Sequence, residues 1–248
     1  MLKPLEKPLI IGHRGACALA PENTMASFRL AFEHKADAIE FDTKLSSDGV
    51  VVIIHDQTLD RTTNGKGKVI DTPLEELRKL DAGSKFSPNF TGEKIPTLDE
   101  LFGELGGKFF MNIELTNYAS PKDALVNNVV ELIRKHKVES SVMFSSFNAN
   151  NLIKARQLIP EVPVGLLALK GFMGAFSRYP FGVSISPEYT HPYFSDATTN
   201  FIHAEHNRGR RVNVWTVNDP ADIRRLVLDH VDGIMGDDPR LVRQVVEG

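Results

Sequence analysis

Short apolar runs typical of buried strands alternate with helical segments along most of this chain, and this alternation constrains the fold more than any other feature. The runs occupy residues 8–11, 37–42, 109–115, 142–147, 162–169, 182–186, 211–216 and 233–236. Eight parallel strands joined by helices are typical of a (β/α)8 barrel, the TIM-type α/β fold. An open doubly wound sheet is the alternative, because its strands and helices alternate in the same way.

The length of 248 residues fits one domain, because (β/α)8 barrels are commonly about 250 residues long. We therefore expect residues 1–248 to form a single catalytic barrel. Residues 56–95 interrupt the alternation with a short helical segment and loops that contain glycine and proline. We expect them to form a small insertion after strand two, which could act as a lid or a specificity element.

The composition excludes several classes of protein. The net charge is −3, from 29 basic and 32 acidic residues, and the chain has no long basic run, which argues against nucleic-acid binding. The single cysteine, Cys17, excludes an internal disulfide and fits a reducing compartment. The first residues have no apolar core of a signal peptide, and no apolar run approaches the roughly 20 residues of a membrane span. We expect a cytoplasmic protein without stable membrane insertion.

A hairpin follows the second strand. The run at residues 50–55 begins too soon after residue 42 for a parallel crossover, which needs a dozen or more residues. The chain must therefore turn back at residues 46–49 and pair in antiparallel fashion. This pairing predicts that His55 lies level with residues 40–42, although a slip of one residue would point it away.

Polar side chains gather at the carboxyl ends of the predicted strands, where barrels of this kind carry their reactive residues. His13 and Arg14 follow strand one, and Glu114 lies near the end of strand three. Glu40 and Asp42 on strand two point the same way, because side chains alternate along a strand. Two carboxylates that face one interior need a cation, a proton or water between them. The convergence of these groups with His55 predicts an active site.

A series of motifs runs through nearly the whole chain in a fixed order. They are Gly12-His13-Arg14-Gly15, Pro21-Glu22-Asn23-Thr24, Glu40-Phe41-Asp42, His55-Asp56, Asp60-Arg61-Thr62-Thr63-Asn64-Gly65, Asn112-Ile113-Glu114 and Val214-Trp215-Thr216-Val217-Asn218. Together they resemble the glycerophosphodiester phosphodiesterase family. The resemblance implies a barrel with an insertion after strand two. It also implies an enzyme of lipid and glycerol metabolism that hydrolyses small-molecule glycerophosphodiesters to glycerol 3-phosphate and an alcohol.

The resemblance also implies the roles of the main site residues. One divalent metal ion would bind Glu40, Asp42 and Glu114, and His13 and His55 would act in acid–base catalysis. Ligands that are all oxygen favour a hard cation, Mg²⁺ or Ca²⁺. The sequence does not distinguish which histidine is the base and which is the acid.

Three further residues are candidates for substrate binding. Arg14 can donate a fork of two hydrogen bonds to phosphate oxygens. Trp215 could form a wall of the pocket, or it could pack in the core. The family usually has a lysine two residues after the third carboxylate, where this chain has Thr116. Lys170, near the end of another strand, is the candidate for the missing cation by its position alone.

Three other functions remain as alternatives. A lysophospholipase D-type phosphodiesterase would act on lipid diesters, with the apolar run Phe172, Met173, Phe176, Tyr179 and Phe181 as a lid for an acyl chain. A sugar-phosphate isomerase or lyase would bind phosphate after the last strand, where the adjacent acids Asp237 and Asp238 make a poor phosphate cradle. An inactive metal-binding relative is disfavoured because both histidines and all three carboxylates are present.

Overall fold

Eight parallel strands close into a barrel in the computed structural model, which describes residues 5–171 and 185–248. The strands are β1 (Leu9–His13), β2 (Ala38–Leu45), β3 (Val51–Ile53), β4 (Phe110–Leu115), β5 (Val142–Ser146), β6 (Val164–Ala168), β7 (Tyr189–Pro192), β8 (Arg211–Val214) and β9 (Gly233–Gly236). All but β3 are parallel, and β1 pairs with both β2 and β9, which closes the barrel. The predicted (β/α)8 barrel is confirmed, and the open sheet is excluded.

Helices connect most of the barrel strands. They are α1 (Met25–Glu33), α2 (Leu74–Leu77), α3 (Leu98–Leu105), α4 (Leu125–His136), α5 (Ala149–Leu158), α6 (Thr199–Asn207), α7 (Pro220–Leu228) and α8 (Pro239–Glu247). Thr24 caps α1 by accepting a hydrogen bond from the Ser27 N–H, and Thr97 forms a capping box with Glu100 at the start of α3. Within the described ranges, no helix has both the length and the apolar character needed to cross a bilayer.

Strand β2 separates the hydrophobic core from the polar interior of the barrel. Ile39 and Phe41 are fully buried in the core, where the ring of Phe41 lies 5.7 Å from that of Phe28 on α1. Glu40 and Asp42 alternate with them and line a pocket inside the barrel. One face of β2 is therefore apolar and packs against the helices, and the other face carries the acidic side chains of the candidate site.

The hairpin after β2 has the predicted geometry. Strand β3 pairs with β2 in antiparallel fashion, with Leu45 level with Val51 and Thr43 level with Ile53. The turn between them is held by the Ser46 N–H, which donates to the Val50 carbonyl at 3.0 Å. Because the pairing partners are fixed by this short turn, the residues that follow β3 return to the level of residues 41 and 42.

The seventh barrel strand lies later in the chain than the sequence pattern predicts. We expected it at residues 182–186, but it is β7, which pairs with Gly165 of β6 and Arg211 of β8 through Tyr189. Ile185 is helical and packs in the core, and residues 182–184 lie outside the described residues. A five-residue apolar run does not distinguish a strand from a buried helix. The strand that does form contains the polar residues Thr190 and His191, so its burial gives no apolar signal in the sequence.

The residues between β3 and α3 pack around a hydrophobic cluster of their own. This segment contains α2 and the 3-10 helices Val69–Asp71 and Pro88–Phe90. The carboxylate of Asp81 fixes its loops by accepting hydrogen bonds from the N–H groups of Gly83, Ser84 and Gly92 at 2.8, 2.8 and 2.9 Å. The division of the chain into one domain with an insertion at residues 56–95 stays a prediction. The cluster consists of Val52, Ile54, Leu59, Val69, Leu77, Ala82 and Ile95.

Candidate active site

Three carboxylates meet inside the barrel because β2 and β4 pair in register. Asp42 lies level with Glu114, and Glu40 lies level with Asn112 two residues earlier. Oxygen atoms of Glu40, Asp42 and Glu114 all lie within 4.8 Å of one another. The parallel register therefore brings together the three acidic residues that the sequence analysis singled out.

Burial and mutual repulsion make the ionised form of this cluster costly. Burial, followed by the charge of Asp42, raises the pKa of Glu114 to about 8, and the same two causes raise the pKa of Glu40 well above its usual range. Neutral donors offset part of this cost. The Tyr118 hydroxyl donates to Glu114 Oε1 at 2.8 Å, and the Asn23 amide donates to Asp42 Oδ2 at 2.9 Å. A cation bound among these oxygens would remove the remaining repulsion.

The donor set suits a hard divalent cation. Every carboxylate ligand is an oxygen atom, which Mg²⁺ and Ca²⁺ prefer. Asn112 beside Glu40 is almost fully buried, and neither its amide nitrogen nor its amide oxygen has a hydrogen-bond partner within the described residues. Buried amides are rarely left unpaired, so this one fits a place where a ligand completes the bonding. The cluster could therefore hold a divalent metal ion.

Asp237 fixes the ring of His13 at the end of β1. The Nδ1 atom of His13 lies 2.7 Å from Asp237 Oδ1, and the same carboxylate accepts hydrogen bonds from the Cys17 thiol at 3.1 Å and the Asn218 amide at 2.5 Å. Burial alone would raise the pKa of Asp237, but these hydrogen bonds hold it at about 2. An ionised Asp237 requires a proton on Nδ1, which leaves Nε2 of His13 as the reactive nitrogen.

His55 reaches the same pocket from the hairpin. The Ile54 N–H donates to the Asp42 carbonyl at 3.0 Å, which extends the pairing beyond β3. His55 Nδ1 lies 2.7 Å from Asp56 Oδ1, and Arg61 donates one hydrogen bond to each oxygen of that carboxylate. The hydrogen bonds from Arg61 hold the pKa of Asp56 well below its usual range. His55 is therefore oriented in the same way as His13, with Nδ1 on a carboxylate.

Arg14 ties the carboxylates to the loop that follows β1. Its backbone N–H donates to Glu40 Oε2 at 3.1 Å, and its Nε lies 3.4 Å from Asp42 Oδ2. Its Nη1 donates to Glu22 at 2.8 Å, and Arg61 donates to both oxygens of Glu22 at 2.6 and 2.8 Å. Glu22 therefore links Arg14 to Arg61, the arginine that also holds the carboxylate beside the hairpin histidine.

A pocket at the carboxyl ends of the strands unites these groups. Trp215 forms part of its wall and donates from Nε1 to the His191 carbonyl at 2.9 Å. Lys170 does not line the pocket; it is exposed, and its Nζ lies 5.2 Å from the ring centre of Tyr193. The lining residues are His13, Arg14, Glu40, Asp42, His55, Asn112, Glu114, Ser145, Phe147, Leu167, Trp215 and Met235.

The sequence analysis assigned no role to the residues that hold the histidines and Arg14. Asp56 directly follows His55, and Asp237 directly follows the last strand, so these positions were the available signals. Glu22 and Arg61 are 39 residues apart and meet only in the folded chain, and no sequence signal connects them.

Two known proteins of similar sequence are named for the same activity as the matching family model. Residues 13–241 match the model of the glycerophosphoryl diester phosphodiesterase family. A glycerophosphodiester phosphodiesterase from Caldanaerobacter subterraneus subsp. tengcongensis is 37% identical over 241 residues, which cover 97% of this chain and 98% of that protein. Another from Bacillus subtilis is 32% identical over 262 residues, with 100% of this chain and 89% of that protein covered.

Solved structures agree with the sequence relatives. A glycerophosphodiester phosphodiesterase from Agrobacterium tumefaciens is 32% identical with a TM-score of 0.83, over 96% of this chain and 99% of that one. A phosphodiesterase from Oleispira antarctica, in complex with the product sn-glycerol-3-phosphate, is 30% identical with a TM-score of 0.88, over 98% of each chain. Fold and site together define a barrel enzyme that hydrolyses phosphoric diesters. The chain belongs to the glycerophosphoryl diester phosphodiesterase family.

Proposed function

We propose that the enzyme hydrolyses glycerophosphodiesters to glycerol 3-phosphate and an alcohol by acid–base catalysis at His13 and His55, with one Mg²⁺ or Ca²⁺ ion on Glu40, Asp42 and Glu114. The observation that carries this proposal is the convergence of two histidine–carboxylate pairs and three carboxylates on one pocket. The complex of the Oleispira antarctica relative with sn-glycerol-3-phosphate supports the nature of the product.

The two histidines share the proton transfers through their Nε2 atoms. One accepts the proton of the glycerol 2-hydroxyl as its oxygen bonds to phosphorus, and the other protonates the departing alkoxide as the bond from phosphorus to that oxygen breaks. The product of this step is a cyclic phosphate. Water then opens the ring with the two proton transfers reversed, and glycerol 3-phosphate is released. Each acid or base of this kind contributes typically about 10²–10⁴-fold to the rate.

The remaining residues bind the phosphate and the glycerol. Glu40, Asp42 and Glu114 would hold the divalent cation, which would polarise a phosphoryl oxygen and lower the pKa of a nearby hydroxyl group. The guanidinium of Arg14, oriented by Glu22 at 2.8 Å, donates to phosphate oxygens. Trp215 walls the pocket and excludes water from the glycerol side. A contact between Lys170 and the substrate stays a prediction.

The metal assignment is tested by removing the metal and by changing its ligands singly. Treatment with EDTA should abolish turnover of glycerophosphocholine, and Mg²⁺ or Ca²⁺ should restore it. Glu40→Gln, Asp42→Asn and Glu114→Gln should each lose metal affinity in calorimetric titration while they remain folded. Glu75→Gln, a change of an exposed carboxylate on α2, is the matched control and should behave as wild type. Full turnover by the demetallated enzyme would exclude the metal role.

A panel of substrates distinguishes the soluble diesters from lipid diesters. The proposed contacts involve only phosphate and glycerol, so kcat/KM for glycerophosphocholine, glycerophosphoethanolamine and glycerophosphoglycerol should agree within about tenfold, or 1.4 kcal/mol. A hundredfold preference for a lysophospholipid would favour the lipid alternative instead. The aromatic run considered as its lid, at residues 172–181, lies outside the described residues. Absence of turnover on the whole panel with either metal would favour an inactive binding protein.

A further inference from the structure

Lys44 is a buried cation that the proposed reaction leaves without a role. It lies on β2, two residues after Asp42, and its relative exposure is only 7%. Side chains two residues apart on a strand share one face, so Lys44 follows Glu40 and Asp42 on the same side of β2. It lies one step, about 6.6 Å, nearer the carboxyl end of the strand than Asp42.

The ammonium group of Lys44 is anchored to Thr116 on the neighbouring strand. Its Nζ donates to the Thr116 carbonyl at 3.0 Å and to Thr116 Oγ1 at 2.8 Å. The Thr116 hydroxyl in turn donates to the Thr43 carbonyl at 2.8 Å, which fixes its oxygen as an acceptor for the ammonium. Two of the three ammonium donors are thereby used, and both acceptors are neutral.

No carboxylate of the described residues lies within the 4.0 Å of an ion pair with Lys44. A buried ammonium without a counter-ion is costly, and the cost is recovered when an anion binds beside it.

We propose that Lys44, held by Thr116, supplies a positive charge that binds the phosphate of the diester. The proposal rests on the proposed function. A diester enters from the carboxyl ends of the strands, which is the side of Asp42 on which Lys44 lies. Thr116 carries no charge itself, but it accepts two hydrogen bonds from the ammonium group of Lys44, which extends from β2. Lys170, exposed on the ring of Tyr193, is not needed for this role.

The test compares anion binding with metal binding in Lys44→Met, which keeps the length of the side chain but removes its charge. Titration of sn-glycerol 3-phosphate in saturating Mg²⁺ should show about 10-fold to 100-fold weaker binding than in wild type, because a hydrogen bond to a charged group is lost. Titration of Mg²⁺ alone should show unchanged or tighter binding, because a positive charge has left the surroundings of the carboxylates. Lys108→Met, a change of an exposed lysine just before the amino end of β4, is the matched control and should bind both as wild type does.

Returning the charge from the neighbouring strand separates an electrostatic role from a structural one. Lys44→Met combined with Thr116→Lys should regain most of the lost affinity for sn-glycerol 3-phosphate. If Lys44→Met does not fold, Thr116→Val keeps the lysine without its hydroxyl anchor and should weaken anion binding alone. Unchanged anion affinity in a folded variant, or equal loss of anion and metal affinity, would overturn the proposal. Because binding is measured without turnover, the result does not depend on whether wild type hydrolyses a diester.

Discussion

The carboxylates that orient the two histidines are kept ionised by different neighbours. Asp56 receives both of its extra hydrogen bonds from Arg61, whereas Asp237 receives one from Cys17 and one from Asn218. Both pKa values lie below the usual range for aspartate as a result. A histidine held in this way keeps one tautomer, which is a requirement for directed proton transfer.

We expect His13→Ala and His55→Ala each to lower kcat by about 10²-fold or more, because each removes one of the two proposed proton-transfer groups. Metal affinity should be retained in both variants, since neither histidine belongs to the carboxylate cluster. Steady-state kinetics on glycerophosphocholine, with calorimetric titration of Mg²⁺, measures the two effects separately.

His203→Ala is the control for this pair of changes, because His203 is exposed on α6. It should retain the activity of wild type. The double variant of His13 and His55 should be little worse than the worse single variant if both act in one concerted step. Activity near wild type in either single variant would contradict the assignment of that histidine.

The local sequence pattern predicted the candidate site residues but not the residues that hold them by hydrogen bonds. Glu40, Asp42 and His55 follow from alternation along a strand and from the length of one turn, which are local properties. Asp237 is 224 residues from His13, and only closure of the barrel between β9 and β1 brings them together. Lys44 lay outside the second strand predicted at residues 37–42, and its burial follows from the extension of β2 to Leu45 beside β4.

At the level of the elements, the β2–β3 hairpin positions His55 beside the carboxylates. Thr43 pairs with Ile53, and the next pair is bonded through the Ile54 N–H and the Asp42 carbonyl at 3.0 Å. A shift of one residue in this register would turn His55 to the opposite face of the ribbon. The hairpin therefore places His55 in the pocket that holds the three carboxylates.

A one-residue insertion between Ile53 and Ile54 should lower kcat as much as His55→Ala, about 10²-fold or more, because it moves the histidine by one place along the strand. An insertion between Asp48 and Gly49, in the turn, is the matched control. It lengthens the loop but leaves the pairing of Leu45 with Val51 available, so activity should stay within about tenfold of wild type. Comparable activity in both insertion variants would show that the register does not position His55.

Element prediction failed where the strand was short and polar. The eight-strand count was correct, but the seventh strand was expected at residues 182–186 instead of at β7. Tyr189, Thr190 and His191 offer little apolar signal, although Thr190 and His191 are buried between neighbouring strands. Hydrophobic periodicity detects a strand when one face is apolar over several residues. A four-residue barrel strand whose inner face is polar gives a pattern too short to detect.

For the whole molecule, the site works against the stability of the fold. Closing the barrel confines Glu40, Asp42 and Glu114 in a buried interior, where the pKa of Glu114 rises to about 8. The ordinary value for glutamate is 4.5, so the folded chain holds a proton that the unfolded chain releases between pH 4.5 and about 8. The stability that this retained proton contributes is therefore fully present below pH 4.5 and is lost as the pH rises towards 8.

We expect the demetallated enzyme to lose stability between pH 4.5 and about 8, relative to Glu114→Gln under the same conditions, because the variant has no proton to release at that position. The difference should be a few kcal/mol in the free energy of unfolding, measured by urea denaturation at a series of pH values in EDTA. At pH 8, Mg²⁺ or Ca²⁺ should raise the free energy of unfolding of the wild-type protein, because the cation compensates the ionised carboxylates. The same ions should raise the free energy of unfolding of Glu114→Gln by much less. If wild type and variant depend on pH in parallel, burial does not raise the pKa of Glu114, and the carboxylates do not form the strained cluster from which a metal ion would gain its affinity.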